Sequence, residues 1–81
     1  MDYTTMLAAI KKYLEKRYSY EIINNLRKGK HFIAERKDLR AILPQINEDI
    51  LEILLEKMSE DGYISKDDGH TITFSLPFIF Q

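Results

Sequence analysis

The sequence predicts a mostly helical α+β fold. Three observations carry that expectation. Apolar residues recur at helical spacing over residues 3–17 and again over 47–61. The period then falls to two, with Ile72, Phe74 and Leu76 alternating with Thr71, Thr73 and Ser75. Gly62 lies between the two regimes, where a helix would stop.

Each element has its own local reason. In residues 3–17, Tyr3, Met6, Leu7, Ile10, Tyr13 and Leu14 form one stripe centred on Ile10, and Asp2 is placed to cap the helix. Ile22, Ile23 and Leu26 fall on nearly the opposite side of that wheel. A break near Ser19 and a second short helix from about 20 to 28 follow, with Ser19 as N-cap and Gly29 as its left-handed stop. His31-Phe32-Ile33-Ala34 reads as one small strand. Residues 35–43 read as a short helix with Leu39, Ile42 and Leu43 inward, ended by Pro44. Asn47 caps the next helix, and Glu48 and Asp49 suit its positive N-terminus. Ile64 opens a strand whose turn is Asp67-Asp68-Gly69. A three-residue loop with Gly69 in the left-handed region sets Ile64 opposite Ile72, keeping both on one buried face.

Residues Arg36-Lys37-Asp38-Leu39 through Ile50-Leu51, the run from Leu54-Leu55-Glu56-Lys57-Met58 to Asp61-Gly62-Tyr63-Ile64, and the hairpin to Leu76 resemble the winged helix-turn-helix superfamily. The resemblance covers residues 31–76, and the N-terminal helix fits as its first helix. It implies a single winged-helix domain over 1–81, with N-terminal helices and a C-terminal two-stranded wing. The helix at 20–28 departs from the commonest form. The superfamily holds DNA-binding regulators and pure protein-interaction domains alike, so the resemblance bears on fold more than on function.

Composition narrows the classes. The chain has 81 residues, 31% charged and 44% hydrophobic. A chain of this length buries only about 60% of its unfolded surface, so its core is thin and gains from burial against a partner. With no Cys there are no disulfides or thiolate metal sites, and the two His cannot make a structural zinc site. There is no run of roughly 18 apolar residues and no signal-peptide pattern, so the expectation is a cytoplasmic protein without a membrane role. No glycine-rich phosphate loop, nucleophile-base pairing or buried carboxylate pair appears, and neither an enzyme nor a cofactor is expected.

The net charge of −1 hides a division at Pro44. Residues 1–43 carry ten basic and five acidic residues, a net of +5; residues 44–81 carry two basic and eight acidic, a net of −6. In DNA-binding relatives of the winged-helix type the helix at 47–61 would enter the major groove. Here its apolar residues Ile50, Leu51, Ile53, Leu54, Leu55 and Met58 span roughly 200° of the wheel. The remaining arc holds Glu48, Asp49, Glu52, Glu56, Ser59 and Glu60, and acids facing phosphates repel. The wide apolar arc fits either burial on two sides within the domain, or Leu51 or Leu55 facing a second protomer.

Two functions follow. One is a small, dimeric, weakly sequence-specific DNA-binding regulator. It would grip phosphates through Lys30, Arg36, Lys37, Arg40, Lys66 and His70, with Lys11, Lys12 and Lys16 exposed on the first helix. The alternative is a protein-interaction module that uses the acidic helix face or the apolar tail Phe78-Ile79-Phe80. A homodimer is expected under both.

Overall fold

The computed structural model describes residues 2–23, 32–75 and Phe78. Over these residues the protein is a small α+β domain, mostly helical, with a three-stranded antiparallel sheet. The order is α1 (Tyr3–Arg17), α2 (Ser19–Ile23), β1 (Phe32–Glu35), α3 (Arg36–Ile42), α4 (Glu48–Glu60), β2 (Ile64–Asp67) and β3 (Thr71–Phe74).

The Asp2 carboxylate caps α1 by accepting from the Thr5 amide at 2.8 Å. These bonds to Thr5 favour the ionised carboxylate and hold its pKa below the ordinary value. Met6, Ile10 and Leu14, four residues apart, are the buried rungs of α1. Tyr18 ends it, its amide donating to the Leu14 carbonyl at 2.9 Å, and the Tyr18 carbonyl then receives the Ile22 amide at 2.9 Å. The expected break is therefore present, but Ser19 sits inside α2 rather than capping it. The expected continuation to residue 28 and the stop at Gly29 lie outside the described residues.

Pro44 disfavours helical geometry at the residue before it. Leu43 accordingly leaves α3 with φ −124° and ψ 61° and stays buried. The Asn47 side chain accepts from the Ile50 amide at 2.9 Å and starts α4. At the far end Gly62 has φ +81°, the Gly62 amide donates to the Ser59 carbonyl and the Tyr63 amide to the Met58 carbonyl. That pair of bonds is a Schellman stop, which needs a left-handed residue at this position.

The sheet runs β1-β3-β2, so the third strand joins the hairpin on β3's other edge. Phe32 pairs with Phe74 and Ala34 with Ile72, which stacks apolar residues on one face. Tyr18 closes the exposed edge of β1. Its hydroxyl donates to the Ile33 carbonyl at 3.0 Å and accepts from the Ile33 amide at 3.2 Å. Its ring meets Phe32 edge-on at 5.2 Å.

The hairpin register differs from expectation. Ile64 pairs with Phe74 rather than Ile72, and Asp67 pairs with Ile72. A bulge between Ile64 and Lys66 supplies the extra residue. The turn closes later than the sequence suggests, over Gly69 and His70, because the Asp68 carboxylate gathers the His70 and Thr71 amides at 2.9 and 2.7 Å. Gly69 takes φ +88°, as expected. Ile64 still lies inward against an apolar partner, but the bulge also turns Asp67 onto the face of Ile72.

Ile10, Leu14, Phe32, Leu39, Leu43, Leu51, Leu54, Met58, Ile72 and Phe74 form the sealed centre of the core. Phe78 joins it, its ring 5.1 Å from Tyr63 and 5.7 Å from Phe74. This part of the tail is committed to the protein's own core; Ile79 and Phe80 lie outside the described residues.

Candidate functional site

Arg36 is the first residue of α3, and its side chain is only 16% exposed. It points into a ring of carboxylates from two other elements. Its guanidinium bonds Glu52 of α4, stands 3.8 Å from Glu48 of α4 and 3.6 Å from Asp67 of β2. The Arg36 amide also donates to the His70 carbonyl at 2.9 Å, joining α3 to the hairpin turn. Arg40, one turn on, donates from Nη1 to the Ile46 carbonyl at 2.6 Å and has Nε 3.8 Å from Glu48. Both arginines therefore face carboxylates or carbonyls of their own chain.

The other sequence-selected residues are dispersed. Lys37 is 78% exposed and lies 3.3 Å from Glu35. Lys66 and His70 are exposed on the hairpin. Lys30 lies outside the described residues. Lys12 and Lys16 are exposed as expected, whereas Lys11 is half-buried. The fold thus places Arg36 beside Arg40 and β2, but inside an acidic ring. That ring is not legible in the sequence, because Glu52 and Asp67 are 16 and 31 residues from Arg36. The bulge that sets Asp67 opposite Ile72 leaves no trace in the residue spacing.

The two readings of α4 are decided by burial. Leu51 and Leu55 are 0% and 2% exposed within the domain, so neither faces a second protomer. The large apolar residues of α4 that do reach solvent are Ile53, 63% exposed, and Ile50, 39% exposed. Asp49, Ile53, Glu56 and Glu60 follow at i, i+4, i+7 and i+11, one ridge on the side away from Leu51 and Met58. Lys57 borders the ridge but is occupied by Asp61 at 3.8 Å and by the Tyr3 ring, 4.9 Å from its ammonium. Tyr3 in turn donates its hydroxyl to Asp61 at 2.7 Å. Partial burial, and then that bond to a carboxylate, raise the Tyr3 pKa.

A second surface lies between α1 and α3. It is an open groove of about 360 Å³ lined by Ala9, Lys12, Tyr13, Lys16 and Ile42. Ala9, Lys12, Tyr13 and Lys16 lie on one face of α1 by their three- and four-residue spacing, and the small Ala9 leaves room between the larger side chains. Arg17 braces the wall, donating to the Tyr13 hydroxyl at 3.0 Å and standing 3.7 Å from Asp38 of α3. Lys12 and Lys16 have no ion-pair partner among the described residues.

Among the described residues no group of three or more His, Asp or Glu could hold a metal ion, and no helix is long and apolar enough to cross a membrane. No family model, curated protein or solved structure gives a significant match to the chain.

Proposed function

We propose that this chain is a winged-helix protein-interaction module that docks partners on the outward ridge of α4 and acts by binding rather than by catalysis. The order of helices, strand and hairpin, with β1 added to the hairpin edge, supports the winged-helix reading. One observation carries the function: the helix that would read bases presents Asp49, Glu56 and Glu60 around an exposed Ile53. Acids repel phosphate, and an apolar residue ringed by acids suits a basic, amphipathic protein surface. The engagement of Arg36 and Arg40 by Glu48, Glu52 and Asp67 supports the same reading, because it removes two cations from any phosphate grip.

The second reading is a weakly sequence-specific DNA-binding regulator, supported by exposed Lys37, Lys66 and His70. Amide chemical-shift mapping separates the two. A helical peptide of alternating Leu and Lys blocks is expected to shift the amides of Asp49, Ile53, Glu56 and Glu60. Mixed duplex DNA at low salt is expected to shift none that a Lys37→Glu/Lys66→Glu variant abolishes. Binding of duplex through α3 and the hairpin, with no peptide response on α4, would reverse the assignment.

A further inference from the structure

The two surfaces described above are complementary, and they are on the same chain. The α4 ridge has an apolar centre, Ile53, bordered by Asp49, Glu56 and Glu60. The α1–α3 groove has an apolar floor of Ala9, Tyr13 and Ile42 bordered by Lys12 and Lys16. Neither the two lysines nor the three acids have an ion-pair partner among the described residues. The sign division of the chain, +5 before Pro44 and −6 from Pro44 on, places the two surfaces in halves of opposite charge.

We infer that the partner of the α4 ridge is a second copy of this chain, with Ile53 of one copy seated in the groove between α1 and α3 of the next. This rests on the reading of α4 as a docking face and names its occupant. The contact is head-to-tail: ridge meets groove, not ridge meets ridge. A closed cavity of about 150 Å³ holds a benzene-sized group, so the groove has space for an isoleucine side chain and part of its neighbours. Seating Ile53 there buries an apolar side chain that the monomer leaves in water. It also brings Asp49, Glu56 and Glu60 to Lys12 and Lys16, which steers the approach and fixes its direction. Two such contacts related by a two-fold axis close a dimer, whereas one contact per copy without closure builds a chain.

Sedimentation velocity of the full chain at low salt, from low to high micromolar, tests this. Self-association is expected. It should weaken roughly tenfold or more in Ile53→Asp, and equally in Lys12→Glu/Lys16→Glu. Both changes are on exposed positions, and a cooperative thermal transition like that of the wild type, measured at a dilution where no copies associate, will confirm that each variant is folded. Mixing the two variants is the decisive arm. The intact groove of Ile53→Asp can receive the intact ridge of Lys12→Glu/Lys16→Glu, so a one-to-one complex should form from two weakened parents. A wild type that stays monomeric overturns the inference, as does association that either variant leaves unchanged. Two weakened variants whose mixture does not associate overturn the head-to-tail arrangement. A monomeric wild type whose α4 amides still respond to the basic peptide would leave the docking face standing and remove only the second copy as its occupant.

Discussion

Replacing Arg36 with Met keeps an unbranched apolar stem but removes the guanidinium that holds three carboxylates together. The expected cost follows from the geometry. A pair of unit charges about 4 Å apart is worth about 1 kcal/mol in water and about 4 kcal/mol at an effective dielectric of about 20. Glu48 and Glu52 are both 64% exposed, so their pairs belong near the water limit, about 0.5 kcal/mol each. Asp67 is 28% exposed, and with Arg36 itself mostly covered that pair contributes about 1 kcal/mol. The sum is about 2 kcal/mol, or roughly 8–16 °C in Tm for a domain of this size. Urea unfolding, which leaves ionic strength free, measures it. At about 1 M salt, where the screening length is about 3 Å, the difference between wild type and variant should fall by about half. A loss below about 0.5 kcal/mol, or one indifferent to salt, would refute the reading that Arg36 holds the ring of Glu48, Glu52 and Asp67 together. If stability held while binding of duplex DNA at low salt disappeared, Arg36 would be a phosphate contact and the functional assignment would reverse.

Four further outcomes are expected. Tyr18→Phe removes the only hydroxyl bonded to both backbone groups of Ile33 among the described residues; it should cost about 1–3 kcal/mol and speed hydrogen exchange at the Ile33 amide. Phe78→Ala empties a buried aromatic position beside Tyr63 and Phe74 and should cost about 3–5 kcal/mol by urea unfolding, whereas a tail held only by a partner would cost the monomer nothing. Gly62→Ala meets no atom within 4 Å of its new Cβ, so its penalty is that of a left-handed alanine alone, about 1–2 kcal/mol by thermal unfolding. Asp68 accepts from the Thr71 and His70 amides, which lowers its pKa from 3.8. A carboxylate lowered on folding stabilises above its unfolded pKa and loses that contribution as pH falls through its folded value. The stability gap between wild type and Asp68→Ala should therefore be constant at neutral pH and close on acidification below pH of about 4.

What the sequence determined by itself is local. Caps at Asp2 and Asn47, the stops at Pro44 and Gly62, and the positive φ at Gly69 follow from backbone chemistry that acts over a few residues. The buried rungs of α1 and α4 follow from spacing, and so does the acidic face of α4. The hairpin was legible only in outline. Its alternation showed which side faces inward, but the bulge after Ile64 and the turn that Asp68 closes move the register together, and spacing carries no trace of either. Tertiary structure alone decided which basic side chains of α3 stay exposed. Arg36, Lys37 and Arg40 look alike as basic residues on one short helix, yet only Lys37 stays well exposed, because Glu48 and Glu52 of α4 and Asp67 of β2 converge on the others. The same holds for the apolar residues of α4. Leu51 and Leu55 are sealed and Ile53 is not, since the α1, α3 and sheet residues of the core fill only one side of the helix. The sequence writes a charge and a spacing at each position. Whether that charge is spent inside the domain or left for a partner depends on residues far away in the chain, which only the packed fold brings near.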